Sequence, residues 1–279
     1  MSKSNEYSAS RLHGIWALTN RELKKWYKAP VIFFLSIVQP IIWMGLLGKA
    51  MNIGALIPQI PGIDPKIVMQ QTLGTSDYFS FMAVGMIAFT ALFTTMFSGM
   101  SVVWDRRLGF LNKVLSTPVS RAVIIFSKVL SATLRSLFQA GLIIVVAIAF
   151  GLQFGVNFSP LNILGVFTIM FLVCVGLSSL FIAITIRSTR METPMAVMNL
   201  INLPMMFASN AFFPTKFMPD WLQTIAKFNP LTYTTDAVRQ LLIFNTDWAQ
   251  LALDFTYVGI FAVIVASIGI VLSWRFLSK

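Results

Sequence analysis

The 279-residue chain has little charge and almost none of the side chains that bind metals or act as nucleophiles. Asp, Glu, Lys and Arg make up 11% of the residues, and there is one cysteine, Cys174, and one histidine, His13. Structural zinc sites take most of their ligands from Cys and His, so one residue of each argues against such a site. The same scarcity argues against a Cys–His nucleophile. We expect no metal site and no catalytic residue in this chain.

Long stretches of the chain contain no charged residue at all. Five such runs have 20, 25, 51, 23 and 20 residues and occupy 29–48, 79–103, 136–186, 193–215 and 255–274. A helix needs about 20 apolar residues to cross a bilayer, and the longest run divides at a segment rich in Gly, Asn and Pro. The sequence predicts an all-α integral membrane protein in which residues 29–279 form one six-helix domain. The predicted spans are 29–49, 79–104, 131–153, 161–186, 193–213 and 255–275.

The charges between these spans predict an orientation. With the N-terminus inside, the inner segments carry a net charge of +12 and the outer segments −1. This is the bias of the positive-inside rule, so we expect both termini in the cytoplasm. The same bias explains the basic composition as a signal for topology and contact with lipid headgroups, and it argues against a nucleic-acid partner.

Three segments outside the spans have their own patterns. Residues 1–28 form the predicted N-terminal region, whose amphipathic helix lies in the inner interface, either as an anchor only or also as a docking surface. Residues 105–118 predict a short cytoplasmic helix whose apolar stripe contacts lipid or a soluble subunit. Residues 214–244 predict an extracellular, re-entrant hairpin of two helices before the last span.

No predicted span contains Asp or Glu, which argues against a proton-driven carrier. A sodium site made of carbonyl and hydroxyl groups stays possible. The chain also lacks a phosphate-binding loop, so uphill transport would need energy from a partner or an ion gradient. Packing between helices is the first interpretation of the polar residues inside the spans, and a substrate pathway is the second. The candidate pathway residues are Phe89, Phe93, Asn199, Asn202 and Met206.

Three motifs, taken together, resemble the membrane subunits of type-2 ABC transporters, in particular drug and polysaccharide exporters. The first is the inner stretch from Asp105 to Leu111 followed by Leu115-Ser-Thr-Pro-Val-Ser-Arg121, and the second is Gln39-Pro40 in the first span. The third is the outer stretch with Pro219, Trp221, Asn229, Pro230, Tyr233 and Arg239. The resemblance covers nearly the whole chain. The family often has Glu where this chain has Asp105, and other residues at the position of Phe110.

The resemblance implies a permease subunit of an ATP-driven exporter in a prokaryotic plasma membrane. Its partners would be a separate ATP-binding subunit, which holds ATP and Mg, a second permease copy or close relative, and membrane lipid. The cargo would be hydrophobic or amphipathic. Coupling to the ATPase is assigned by the resemblance to Asp105, Arg106, Gly109, Phe110, Leu111, Val114 and Leu115.

Two other classes of function remain at this point. One is an ion-coupled carrier or channel without an ATPase partner, which the uncharged spans and the long inner loop disfavour. The other is an intramembrane enzyme, which would need clustered His, Asp or Glu near an interface. The acidic residues of this chain are scattered instead.

Overall fold

The computed structural model describes residues 11–50, 64–117 and 119–277. Within these ranges the chain is helical and has no β-strand, which agrees with the predicted all-α class. The helices are α1 (Arg11–Tyr27), α2 (Pro30–Trp43), α3 (Pro65–Leu73), α4 (Tyr78–Arg107), α5 (Phe110–Leu115), α6 (Arg121–Ala149), α7 (Pro160–Thr185), α8 (Glu192–Phe207), α9 (Asp220–Ala226), α10 (Pro230–Leu242) and α11 (Trp248–Leu277). Residues 1–10 of the predicted N-terminal region lie outside the described residues, as does position 118.

Four helices in the described part of the chain are long and apolar enough to cross a membrane. They are α4, α6, α7 and α11, and they match four of the predicted spans. A long uncharged run inside lipid forms a helix because only its own backbone can satisfy its N–H and C=O groups there. Helix α4 is central: in the segment Ile67–Arg107, which contains it, 89% of the most apolar stretch is buried, whereas the corresponding share for α11 is 17%. Helix α6 begins at Arg121, ten residues before the predicted start of its span.

The two remaining predicted spans are less regular. Helices α1 and α2 meet at an angle of 76° and together could count as a fifth crossing. Helix α2 continues into a π-helical turn, Met44–Ala50, so this segment covers the predicted span 29–49. Helix α8 covers only part of the predicted span 193–213, because its 16 residues rise about 24 Å, less than a typical hydrocarbon core of about 30 Å. The count of six spans stays a prediction.

Side chains and prolines fix where several helices begin. Asp77 accepts hydrogen bonds from the backbone N–H groups of Phe79 and Ser80 at the start of α4. Asn229 caps α10 in the same way, and Pro230 occupies its first turn, where no backbone donor is needed. Helices α1 and α5 lie beside the last turn of α4 and α10 lies beside its first turn, so they occupy opposite ends of the bundle. We name the two the α1 end and the α10 end.

Candidate functional site

Five charged residues from three helices form an ion cluster at the α1 end. Helix α1 supplies Arg21, Glu22 and Lys25, α4 supplies Asp105, and α6 supplies Lys128. Asp105 accepts hydrogen bonds from Lys25 at 2.6 Å, from Arg21 at 3.3 Å and from Lys128. Glu22 lies 3.0 Å from Lys128 and 2.8 Å from Arg21. The cluster therefore joins three helices that are far apart in sequence.

Both carboxylates of the ion cluster are nearly inaccessible to solvent. Glu22 and Asp105 are each 2% exposed. A buried carboxylate is tolerated only when cations and hydrogen bonds replace its water shell, and each of these two has several cationic neighbours. Loss of one member would leave a buried charge without its counter-ion. The ion cluster is thus a cooperative joint between α1, α4 and α6.

Helix α5 is attached to the same joint. Gly109, with a φ of +70°, makes the turn between α4 and α5 in a conformation that suits glycine. The guanidinium carbon of Arg21 then lies 3.1 Å from the centre of the Phe110 ring, a cation–π contact. Leu111 and Val114 are buried in an apolar cluster with residues of α4, α6 and α7. Helix α5 and the ends of α1, α4 and α6 therefore pack as one body.

This packing changes the interpretation of the predicted apolar stripe on residues 105–118. Leu111 and Val114 contact the chain's own core, and Phe110 and Leu115 pack partly against it. The surface left for a partner consists of Leu108, which is 73% exposed, with Asn112 and Lys113 beside it. Arg106 is half-buried. The coupling role of the seven predicted residues stays a prediction, and their packing favours transmission of motion over direct contact.

At the α10 end, polar side chains bind backbone carbonyl groups. The Asn229 amide donates to the carbonyls of Met205 and Ala208, at 2.6 and 2.8 Å, and so connects α10 to the end of α8. Arg239 is 1% exposed and donates to the carbonyls of Phe81 and Ala211, at 3.3 and 3.1 Å. These bonds explain structurally why the motif carries Asn and Arg at those positions.

Two tyrosines complete the α10 end. The rings of Tyr233 and Tyr257 stack with centroids 3.9 Å apart. Their hydroxyl groups donate to the carbonyls of Lys227, at 2.7 Å, and Phe228, at 2.9 Å.

The predicted pair of helices exists here as α9 and α10. Pro219 immediately precedes α9, and Trp221 on α9 is 65% exposed.

Burial shifts the pKa of both charged groups of α10. Burial raises the pKa of Asp236, while Arg239 and the amide of Asn210 oppose that rise. Burial lowers the pKa of Arg239 to about 9, against the opposing effect of Asp236. Burial thus disfavours the charged form of each group, and the neighbouring group of opposite charge favours it. Gly85 allows the close packing around them, because a Cβ there would clash with the Ala211 carbonyl oxygen.

The five candidate pathway residues do not all line one groove. Phe89 and Phe93, with ring centroids 4.4 Å apart, line a groove between α2, α4 and α6. Asn199, Asn202 and Met206 lie on α8, and none of the three lines that groove. Asn199 is exposed, Met206 is half-buried, and Asn202 is buried without a hydrogen-bond partner for its Oδ1.

Several residues of the ion cluster were not predicted from the sequence. Glu22 was a usable signal, because it is an acidic residue among the basic residues of α1. Lys128 is another, since six uncharged residues separate it from the nearest charged residue on each side. The sequence gives no indication that these two side chains meet, because that depends on which faces of α1 and α6 pack together.

Comparison with known proteins decides the family. The family model described as ABC-2 type transporter matches residues 13–243. The chain belongs to this family. It is 35% identical to the putative transport permease ycf38 of Porphyra purpurea over 246 residues, which cover 87% of this chain and 78% of the relative. Nodulation protein J of Rhizobium leguminosarum bv. trifolii is 24% identical over 81% of this chain and 80% of its own length.

A third relative has a transport role in its name. The daunorubicin resistance ABC transporter permease protein DrrB1 of Streptomyces coeruleorubidus is 21% identical over 60% of this chain and 59% of its own length. The chain is thus a multi-pass membrane protein and a type-2 ABC permease subunit, as the resemblance of its motifs indicated. Permeases of this family form the membrane part of an ABC system and associate with an ATP-binding subunit.

Proposed function

We propose that this chain is the permease of an ATP-driven exporter, with ATP and Mg bound by a separate subunit that docks at the α1 end. The packing of α5 onto the ion cluster carries this proposal. A partner that pushes on the exposed edge of α5 displaces α1, α4 and α6 together. Interfaces and packed cores respond to such a push as units, which suits the conversion of ATP binding into helix movement.

The proposal includes an orientation and an assembly. The α1 end faces the cytoplasm, as the charge bias predicts. Two permease copies, or this chain and a close relative, enclose the pathway in a prokaryotic plasma membrane. The cargo is hydrophobic or amphipathic, which fits a chain that contains 25 Phe and 15 Met residues. The named relatives support transport as the role.

The docking surface is tested by a substitution that leaves the core intact. Leu108→Asp places a charge at an exposed position beside α5, so it should weaken docking without unfolding the chain. The measurement is co-purification of the ATP-binding subunit in mild detergent, together with its ATPase rate in the complex. Val156→Asp is the matched control, because Val156 is 94% exposed in the segment between α6 and α7. Equal co-purification of wild type and both variants would contradict docking at α5.

A further inference from the structure

A groove between α2, α4 and α6 has the chemistry of an amphiphile site. Its volume is about 340 Å³, near the lower end of the range for ligand sites. Apolar side chains from α2 and aromatic side chains from α1 and α4 form its walls: Trp26, Ile32, Leu35, Phe89, Phe93 and Phe97. The rest of the lining consists of Pro40 and the polar residues Ser36, Gln39, Thr90, Thr94, Arg135 and Gln139.

Arg135 supplies the only full charge among the side chains that line the groove. Its Nε donates to the carbonyl of Ser131 at 3.1 Å and one terminal nitrogen donates to the Ser98 hydroxyl at 3.3 Å. These bonds hold the guanidinium inside the bundle and leave further N–H groups for a ligand. Arg135 is therefore fixed where it faces the groove, instead of extending freely to the membrane surface.

No carboxylate of the described residues forms an ion pair with Arg135. Glu22 acts on it electrostatically from a greater distance, but Glu22 already pairs with Arg21, Lys25 and Lys128. The ion cluster has three cations and two anions, so Arg135 raises the local net charge from +1 to +2. This corner of the bundle lacks one or two negative charges.

The position of Arg135 along α6 favours a ligand from the bilayer. Arg135 lies seven residues beyond Lys128 on α6, about 10 Å further along the helix axis. A charged side chain at such a depth is costly unless it is paired, and it commonly marks a functional site. Phe97 and Leu35, which are 55% and 57% exposed, leave the groove open to the side of the bundle.

We propose that this groove binds one anionic phospholipid, with its phosphate on Arg135 and one acyl chain along the aromatic wall. Arg presents parallel N–H groups that match phosphate oxygens, so this pairing is strong in an apolar setting. The buried Gln139 amide, which accepts a hydrogen bond from Thr94, lies beside the headgroup position. The proposal adds a lipid site to the proposed transport function and does not depend on an ATP-binding partner.

Lipid binding to the purified chain tests the proposal directly. Native mass spectrometry in neutral detergent would compare phosphatidylglycerol with phosphatidylcholine of identical acyl chains. Both lipids present a phosphate, but phosphatidylcholine also carries a quaternary ammonium, which the excess positive charge around Arg135 repels. We therefore expect one phosphatidylglycerol to bind about tenfold more tightly than one phosphatidylcholine. Arg135→Gln should weaken the binding of both lipids and reduce this preference, and Arg107→Gln, which removes an exposed charge from α4, should change neither. Equal preference in wild type and Arg135→Gln would overturn the proposal.

Two further experiments ask whether the lipid binds in this groove and whether the ligand is a lipid or free phosphate. Leu35→Trp keeps the charge of Arg135 but narrows the mouth of the groove, so it should weaken the binding of both lipids. Unchanged binding by this variant would place the lipid elsewhere. Inorganic phosphate should not compete with phosphatidylglycerol at equal concentration, and effective competition would contradict a lipid ligand.

Tryptophan fluorescence would locate the acyl chain. Trp26 lines the groove, so a brominated acyl chain bound there should quench its emission. Brominated phosphatidylglycerol should quench less fluorescence in Trp26→Phe than in wild type. The quenching should be unchanged in Trp248→Phe, which alters the exposed first residue of α11. Equal quenching of the two variants would contradict the assigned position.

Discussion

The two ends of the bundle are held together by different chemistry. At the α1 end, charged side chains pair with one another across three helices, and Glu22 and Asp105 each serve several cations. At the α10 end, Asn229 and Arg239 bind backbone carbonyls, which have fixed positions. Because each carboxylate pairs with cations of two helices, the ion cluster holds α1, α4 and α6 as one unit, whereas each bond to a carbonyl fixes α10 to one point of a neighbouring segment. The α1 end is therefore suited to movement and the α10 end to anchoring.

The largest expected effect comes from breaking the ion cluster. Asp105→Asn leaves Lys128 buried with one carboxylate in place of two, so the free energy of unfolding should fall by about 3–5 kcal/mol. Reversible unfolding in detergent measures this change. Glu192→Gln is the control, because Glu192 is exposed, and it should cost less than about 1 kcal/mol. Similar losses in both variants would show that the ion cluster does not join the helices.

The strongest single anchor of the α10 end is Arg239. Arg239→Met keeps most of the side-chain length but removes the donors to Phe81 and Ala211, so we expect a loss of about 3 kcal/mol. Lys227→Met at an exposed position should cost little. The same unfolding experiment applies. Because Arg239 is buried, dissolved salt does not screen its interactions, so the loss should not change with salt concentration. A strong salt dependence would contradict the comparison.

Asn229 should contribute less than Arg239. Asn229→Ala removes the cap of α10 and both donors to the end of α8, for an expected loss of about 2 kcal/mol. The matched control is Asn245→Ala, an exposed asparagine near the same end. Hydrogen exchange should become faster at the end of α8 in the Asn229 variant alone. Unchanged exchange there would mean that Asn229 does not connect α8 to α10.

The smallest expected effect comes from Lys25, the ion-cluster member whose side chain is most exposed to solvent. The Lys25 side chain is 42% exposed, so water and salt screen its pair with Asp105. Lys25→Ala should cost about 0.2–1 kcal/mol at low salt and less at high salt. Lys24→Ala, at the next exposed residue of α1, should have no salt-dependent effect. A salt-independent loss in Lys25→Ala would place its ammonium in the dry interior.

The sequence predicts the long helices well and the contacts between them poorly. Uncharged runs locate α4, α7 and α11 because lipid forces their backbones into helices. The predicted span 193–213 exceeds α8, since the chain after Phe207 leaves the helix to supply carbonyls to Asn229 and Arg239. Pairing of Glu22 with Lys128 depends on which helix faces meet, and that information does not reside in either local segment.

The movement of the α1 end as one body is the central claim, and a distance measurement tests it most directly. Spin labels at Lys24→Cys on α1 and Ser116→Cys at the end of α5 would occupy exposed positions outside the proposed docking surface, while the native Cys174 is buried. Labelled copies would be diluted with unlabelled ones in complexes with the ATP-binding subunit. The account predicts the same separation of the two labels with and without trapped ATP, while the separation between labels at position 116 in two different copies changes. A change in the distance between α1 and α5 within one copy would contradict the account.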